Sequence, residues 1–143
     1  MTKSKIKVIL TGGCFDILHY GHIYFLKKAK SLGDYLVVAI ESDKRIRVLK
    51  GEGRPIHSQK QRKEILKSLK FVDQVIILKD KMTDRDYLKL IVKTRPAIIA
   101  VTKSDPILNK KQEQAKIAGA KVVEISKIKS PSTSEIIKKM ELL

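Results

Sequence analysis

Only one cysteine, Cys14, stands in the 143 residues, so no disulfide can form within the chain and a cysteine-stapled scaffold is excluded. Long apolar runs are missing as well. None approaches the roughly 20 residues that cross a bilayer, so no membrane partner is expected. Aromatic residues make up only 5% of the chain, too few for the stacking platforms that hold single-stranded nucleic acid. Acidic residues are outnumbered: 15 Asp and Glu against 31 Lys and Arg leave a net charge of +16. Such a field draws anions, whether nucleotides, phosphosugars or nucleic acid. The lysines are spread along the whole chain, without the basic block of a nucleic-acid arm. Most of them, Lys27, Lys28 and Lys30 included, read as solvation of helix faces, and a nucleic-acid partner is the least favoured. No repeat or low-complexity tract divides the chain. No cleavable leader is expected after Met1–Lys5, and the lone cysteine agrees with a cytoplasmic address.

What is present is an ordinary globular composition, 43% hydrophobic, long enough for one domain over residues 1–143 with a core of its own. Apolar runs predict strands at Lys5–Leu10, Tyr35–Ile40, Val75–Leu78, Ala97–Val101 and Lys121–Ile125. Helical spacing predicts helices from Gly21 to Leu32, Ser58 to Leu69, Thr83 to Pro96, Leu108 to Ala118 and Glu135 to Leu142. Ser58 with Gln61, and Thr83 with Asp86, have the spacing of capping boxes, and Gly33 and Gly119 suit helix stops. Ser132 or Thr133 caps the last helix. Glu41–His57 reads as a long polar loop, mobile in part because it holds Gly51, Gly53 and Pro55. Alternating strands and helices imply an α/β fold with a doubly wound, five-stranded parallel sheet, Rossmann-like, with helices on both faces. Ligands of such sheets bind beyond the carboxyl ends of the strands, where the strand order reverses.

The first strand runs into Thr11-Gly12-Gly13. Two glycines permit a sharp turn and a close approach to a ligand, but neither the dinucleotide fingerprint nor the Lys-bearing phosphate loop follows. His19 and His22 flank Gly21 at the start of the next helix. Residues three apart share a helix face, and a helix N-terminus offers unpaired N–H groups to an anion. Two imidazoles there suit phosphate oxygens and the charge of a phosphoryl-type transition state. A zinc pair is poorly supported, because the third histidine, His57, is far off in sequence.

The run from Gly13 to His22, with Cys14, Phe15, Asp16 and the His-Tyr-Gly-His of residues 19–22, resembles the signature of the cytidylyltransferase-like nucleotidyltransferases. Leu49–Ile56, Gln61-Arg62, Val72-Asp73 and Ser132–Ile137 resemble further segments of that family, so the likeness spans nearly the whole chain. Within it, the heptose-phosphate adenylyltransferases of lipopolysaccharide core biosynthesis and the glycerol-3-phosphate cytidylyltransferases are most similar, with archaeal FAD synthases a third group.

The resemblance implies transfer of a nucleotidyl group from a nucleoside triphosphate, ATP before CTP, to a phosphorylated sugar, polyol or similar small molecule, with Mg²⁺ to neutralise the leaving pyrophosphate. His19, His22, Lys50 and Arg62 are implied as catalytic. Gly13, Cys14, Phe15, Gly21, Ser132, Thr133 and Ser134 would join both histidines around the nucleotide. Asp16 and Asp43 are candidates for substrate contact, with a brace or cap of its own turn the alternative for Asp16. A homodimer is implied by the habits of the family. A nucleotide-binding protein without turnover, or an FAD-synthase-like adenylyltransferase, is the alternative. The chain departs from the pattern after the fourth strand, where Thr102-Lys103-Ser104-Asp105 replaces a Gly-Asp segment, and before the closing segment, where Lys127 and Lys129 replace an arginine.

Overall fold

A computed structural model describes residues 5–141. Met1–Ser4, four of the five N-terminal residues weighed for a leader, and the C-terminal Leu142 lie outside that range. The elements run β1 (Val8–Gly13), α1 (Tyr20–Ser31), β2 (Tyr35–Ile40), α2 (Asp43–Lys50), α3 (Gln59–Lys67), β3 (Gln74–Ile77), α4 (Asp84–Thr94), β4 (Ile98–Thr102), α5 (Leu108–Ala118), β5 (Lys121–Ile125) and α6 (Thr133–Glu141). The five strands form one sheet in the order β3-β2-β1-β4-β5, and every neighbouring pair is parallel. This is the expected α/β, Rossmann-like architecture.

Side chains alternate across the pleat, and each face buries its own set. Ile9, Leu36, Val38, Ile40, Ile98 and Ala100 join Leu26 and Ala29 of α1 and Leu66 of α3 in one core. Leu10, Val37, Ala39, Ile99 and Val101 join Ile91 of α4 and Ala115 of α5 in the other. A strand covered on both faces must be apolar throughout, which is why β2 reads as an unbroken run of YLVVAI. The chain leaves β1 for β2 on one side and returns to β4 on the other. The reversal of strand order therefore falls between β1 and β4, and a crevice opens above their carboxyl ends.

One expectation is corrected. Glu41–His57 is not a loop throughout, because Asp43–Lys50 is helical, with Ser42 capping the Arg45 N–H at 3.0 Å. Ile46 is its single buried residue, while Val48 and Leu49 are exposed, so the apolar stripe that announces a helix is nearly absent. The true loop is the seven-position stretch 51–57, opened by Gly51 at φ +96° and Gly53 at φ +83°.

Candidate active site at the sheet's switch point

The β1–α1 turn is built around its glycines and rings. A Cβ on Gly13 would lie 2.8 Å from the Phe15 ring, and a Cβ on Gly21 would lie 2.8 Å from the His19 ring. Both contacts are too short for any side chain, so the two glycines leave room for the rings that shape the turn. Phe15 and Ile17 hold φ of +50° and +44°, a left-handed conformation that costs on the order of 1–3 kcal/mol per residue unless the surroundings enforce it. Those surroundings are visible. Thr133 Oγ1 donates to the carbonyls of Asp16 at 3.0 Å and Ile17 at 3.1 Å, tying the turn to the start of α6.

His19 is the N-cap of α1. Its Nδ1 accepts the Gly21 N–H at 3.0 Å, and His22 Nδ1 accepts the His19 N–H at 3.3 Å. Each ring thus spends Nδ1 as an acceptor, so the proton of each neutral imidazole sits on Nε2 and remains available to an anion. The rings stack with centroids 3.9 Å apart, and Phe15 lies 5.3 Å from His22. Burial lowers the pKa of both, and for His22, with His19 beside it, the value falls to about 4. Both are neutral Nε2–H donors at neutral pH.

The low pKa has a measurable consequence. The folded chain resists protonating His22, whereas the unfolded chain takes the proton near 6.5. The stability linked to this residue is intact above that pH and is lost as pH falls from 6.5 towards 4. In a plot of Tm against pH, wild type should fall more steeply through this window than His22→Gln, whose amide can still accept the N-cap N–H. Parallel curves would contradict the neutral, buried imidazole.

A cavity of about 440 Å³ spans the crevice, within the roughly 300–1,000 Å³ of small-ligand sites. Its lining brings together every residue the sequence assigned to the nucleotide: Gly13, Cys14, Phe15, His19, Gly21, His22, Ser132, Thr133 and Ser134, with Lys50 and Asp16 beside them. The N-termini of α1 and α6 both belong to it. Ser132 caps α6 by accepting the Glu135 N–H at 3.1 Å, while Thr133 turns inward, so the choice between two caps falls to Ser132. Burial pushes the Cys14 thiol up from its ordinary value, which disfavours the thiolate that a covalent mechanism would need.

Two assignments are corrected. Arg62 is fully buried and lines no part of this cavity. Its Nε donates to the His57 carbonyl at 3.1 Å, one terminal nitrogen to the Cys14 carbonyl at 2.9 Å, and the other to Asp43 at 2.8 Å. With its nitrogens spent in this way, the guanidinium is a brace between three segments, not a solvated fork awaiting phosphate. Asp43 is its ion-pair partner and does not border the cavity, which removes it from the substrate contacts. Asp16 is buried, and its carboxylate accepts the N–H groups of Ile56 at 2.6 Å and His57 at 3.0 Å. Of its two readings, the brace is the one the geometry favours. Asp73 likewise fixes a turn, accepting the Leu36 N–H at 2.7 Å.

One residue escaped the sequence reading. Arg54 reaches the cavity from the 51–57 loop, with Nε 3.5 Å from Asp16 and a terminal nitrogen donating to Ser134 at 3.3 Å. That Nε is buried without a hydrogen-bond partner. The Gly51-Glu52-Gly53-Arg54 run was the available signal, a cation held by glycines next to Lys50. At the departure after β4, Ser104 holds φ +72°. The backbone keeps there a bend that glycine adopts without strain, and Asp105 is tied to Lys111 at 2.6 Å and to the Ile107 N–H at 2.9 Å.

Comparison with known proteins agrees with this geometry. A description of the family "Cytidylyltransferase-like" matches residues 10–139. The chain is 42% identical over 146 residues to an FAD synthase of Thermococcus sibiricus, covering 98% of this chain and 96% of that protein. It is 39% identical over 144 residues to the bifunctional protein HldE of Campylobacter concisus, covering 97% of this chain but only 28% of that protein. Among solved structures, a lipopolysaccharide core biosynthesis protein of Thermoplasma volcanium superposes with a TM-score of 0.69 at 30% identity, covering 87% of this chain and all of that one.

Proposed function

The chain belongs to the cytidylyltransferase-like family, and from that premise we propose that it transfers a nucleotidyl group from a nucleoside triphosphate to a small phosphate monoester. A phosphate oxygen of the acceptor bonds to the α-phosphorus as the bond from that phosphorus to the β-bridging oxygen breaks, and pyrophosphate leaves with the electron pair. The observation that carries this reading is the pair of Nε2–H donors at the N-terminus of α1, facing the N-terminus of α6 across one cavity. Donors fixed before the reaction stabilise charge that develops on the phosphoryl oxygens without reorganising. In this reading Ser132, Ser134 and Arg54, which line the cavity, would hold the β- and γ-phosphates, and Lys50 would approach from the end of α2.

ATP is the favoured donor, in keeping with the adenylyl product named by the FAD synthase relative. Sugar or polyol phosphates and a flavin-type phosphate are the two acceptor classes that the relatives suggest. Mg²⁺ is part of the proposal as a companion of the substrate. Among the described residues no three His, Cys, Asp or Glu side chains converge on a metal position, so the cation would ride on phosphate oxygens, as Mg²⁺ commonly does. When bound there it offsets the charge of the pyrophosphate.

The test is pyrophosphate release from ATP and from CTP with a panel of phosphate monoesters, with products identified by mass. Pyrophosphate and a nucleotidylated acceptor in equal amounts support the reading. Nucleotide binding with no release would favour a binding protein of the same fold. Lys50 gives a finer prediction. It is a point charge on an exposed stem at the cavity's edge, so Lys50→Ala should lower kcat by roughly tenfold to a hundredfold with a smaller change in nucleotide Kd. An unchanged kcat would make it an ordinary surface lysine.

A further inference from the structure

A second cavity, of about 690 Å³, is lined from the α4–α5 face of the sheet by Leu78, Ile91 and Ile99. It meets the first at one wall. The ladder between β1 and β4 stops at Leu10 and Ile99. Just beyond, Thr11 Oγ1 bridges the two strands by donating to the Ala100 carbonyl at 2.9 Å. Both cavities border Thr11 to Cys14 at the end of β1, Ala100 of β4, and the pair formed by Asp105 and Lys111. Lysine and arginine side chains line each cavity, but Lys111 alone among them lines both. Lys50, Arg54 and Lys127 border only the first, and Arg45, Lys81 and Lys110 only the second. Lys111 is also held in place. Its Nζ donates to Asp105 at 2.6 Å, and the other oxygen of that carboxylate accepts the Ile107 N–H at 2.9 Å. Asp105 is largely buried and Lys111 is half-buried. An ammonium has three N–H donors. Asp105 takes one, and among the described residues no other acceptor takes the remaining two.

We propose that Lys111 is a further catalytic residue, whose ammonium stands where the acceptor's phosphate meets the α-phosphate and offsets their mutual repulsion. The proposal rests on the nucleotidyl-transfer reading of the first cavity. A cavity of about 440 Å³ suits one ligand of nucleotide size, so the acceptor reaches the α-phosphorus from the second cavity, across the shared wall. Two anions must then come into contact at a partly desolvated place, where like charges repel far more than in water. A cation fixed there before the reaction lowers that barrier without reorganising. Lys111 transfers no proton. It holds positive charge beside the attacking oxygen while that oxygen bonds to the α-phosphorus and pyrophosphate leaves. Asp105 is the positioning residue, anchored to the backbone at Ile107 and fixing the ammonium at the wall. Removing Lys111 alone would also leave the Asp105 carboxylate facing both substrates, so the test must separate lost cation from exposed anion.

The experiment uses the whole chain with ATP, Mg²⁺ and, in separate assays, flavin mononucleotide, glycerol 3-phosphate and mannose 1-phosphate as acceptors. Lys111→Gln keeps a donor for Asp105 and removes the charge. Its kcat for pyrophosphate release should fall about 10²-fold, while the Kd of ATP moves by less than about threefold. The double variant Lys111→Gln with Asp105→Asn leaves neither charge behind. If Lys111 served only to neutralise Asp105, the double variant would regain the wild-type kcat, and that result would overturn the proposal. The proposal expects the double variant to stay down by about tenfold or more. Lys116→Gln removes the same charge from an exposed position of α5 outside both cavities and should keep kcat within about twofold of wild type. An equal loss in that variant would mean that overall charge sets the rate, and would also overturn the proposal. Wild type that releases no pyrophosphate with any of the three acceptors would reject the transfer reading and this role with it. An active wild type matched by an equally active Lys111→Gln would reject the role of Lys111 alone.

Discussion

His22→Ala should lower kcat for pyrophosphate release by about 10²–10³-fold, the usual loss when one preorganised donor to a developing charge is removed. The chain should still fold, because the ring contributes only one N-cap hydrogen bond, at 3.3 Å from the His19 N–H. His19 needs a different variant. Its Nδ1 caps α1 at 3.0 Å, so alanine there would also cost about 1 kcal/mol of stability and blur the reading. His19→Asn keeps a capping oxygen and deletes the Nε2–H donor, and it should lose kcat to a similar degree. Circular dichroism and a thermal melt accompany both variants. Native melts with kcat within threefold of wild type in both would remove the histidines from the chemistry.

The second large effect is on stability. Arg62→Ala should cost on the order of 2–5 kcal/mol, because two carbonyls lose their donor at about 1–3 kcal/mol each while Asp43, 41% exposed, is resolvated and adds little, and lower Tm by about 3 °C for each kcal/mol lost. Arg62 is fully buried, and its loss leaves the Cys14 and His57 carbonyls without their donor and Asp43 without its partner. Arg62→Lys should recover little, since one ammonium cannot span acceptors that lie on three sides of a planar fork. The kcat of protein that remains folded should fall less than in the histidine variants. A wild-type melt with a collapsed kcat would restore the reading of Arg62 as a phosphate ligand.

The contrast between these two sites shows what could be read in the sequence. His19 and His22 were legible because their partners are local: the spacing of three, the glycine between them and the preceding strand end all fall within ten positions. The parallel sheet was legible for the same reason, since a strand covered on both faces must be a continuous apolar run. Arg62 was misread because its three acceptors come from residues 14, 43 and 57, and nothing near position 62 announces that the fold closes over it. Helix α2 was missed because five of its eight residues are charged and only Ile46 is buried, which leaves no stripe to detect. Arg54 was not singled out within the Leu49–Ile56 segment, because its value depends on Asp16 and Ser134 meeting it from distant segments. Ser104 is a fourth case, where a bend that glycine favours is held by a residue that does not advertise it. Local chemistry was readable, and long-range closure was not.

The transfer chemistry itself is tested most directly by following the two ends of the triphosphate. The chain is incubated in parallel with ATP labelled at the α-phosphorus and at the γ-phosphorus, with Mg²⁺ and flavin mononucleotide. Attack at the α-phosphorus predicts that the α-label appears in the nucleotidylated acceptor and the γ-label in pyrophosphate, with neither reaching inorganic phosphate. A γ-label in inorganic phosphate or on the acceptor, with the α-label left in ADP, would contradict nucleotidyl transfer at this site.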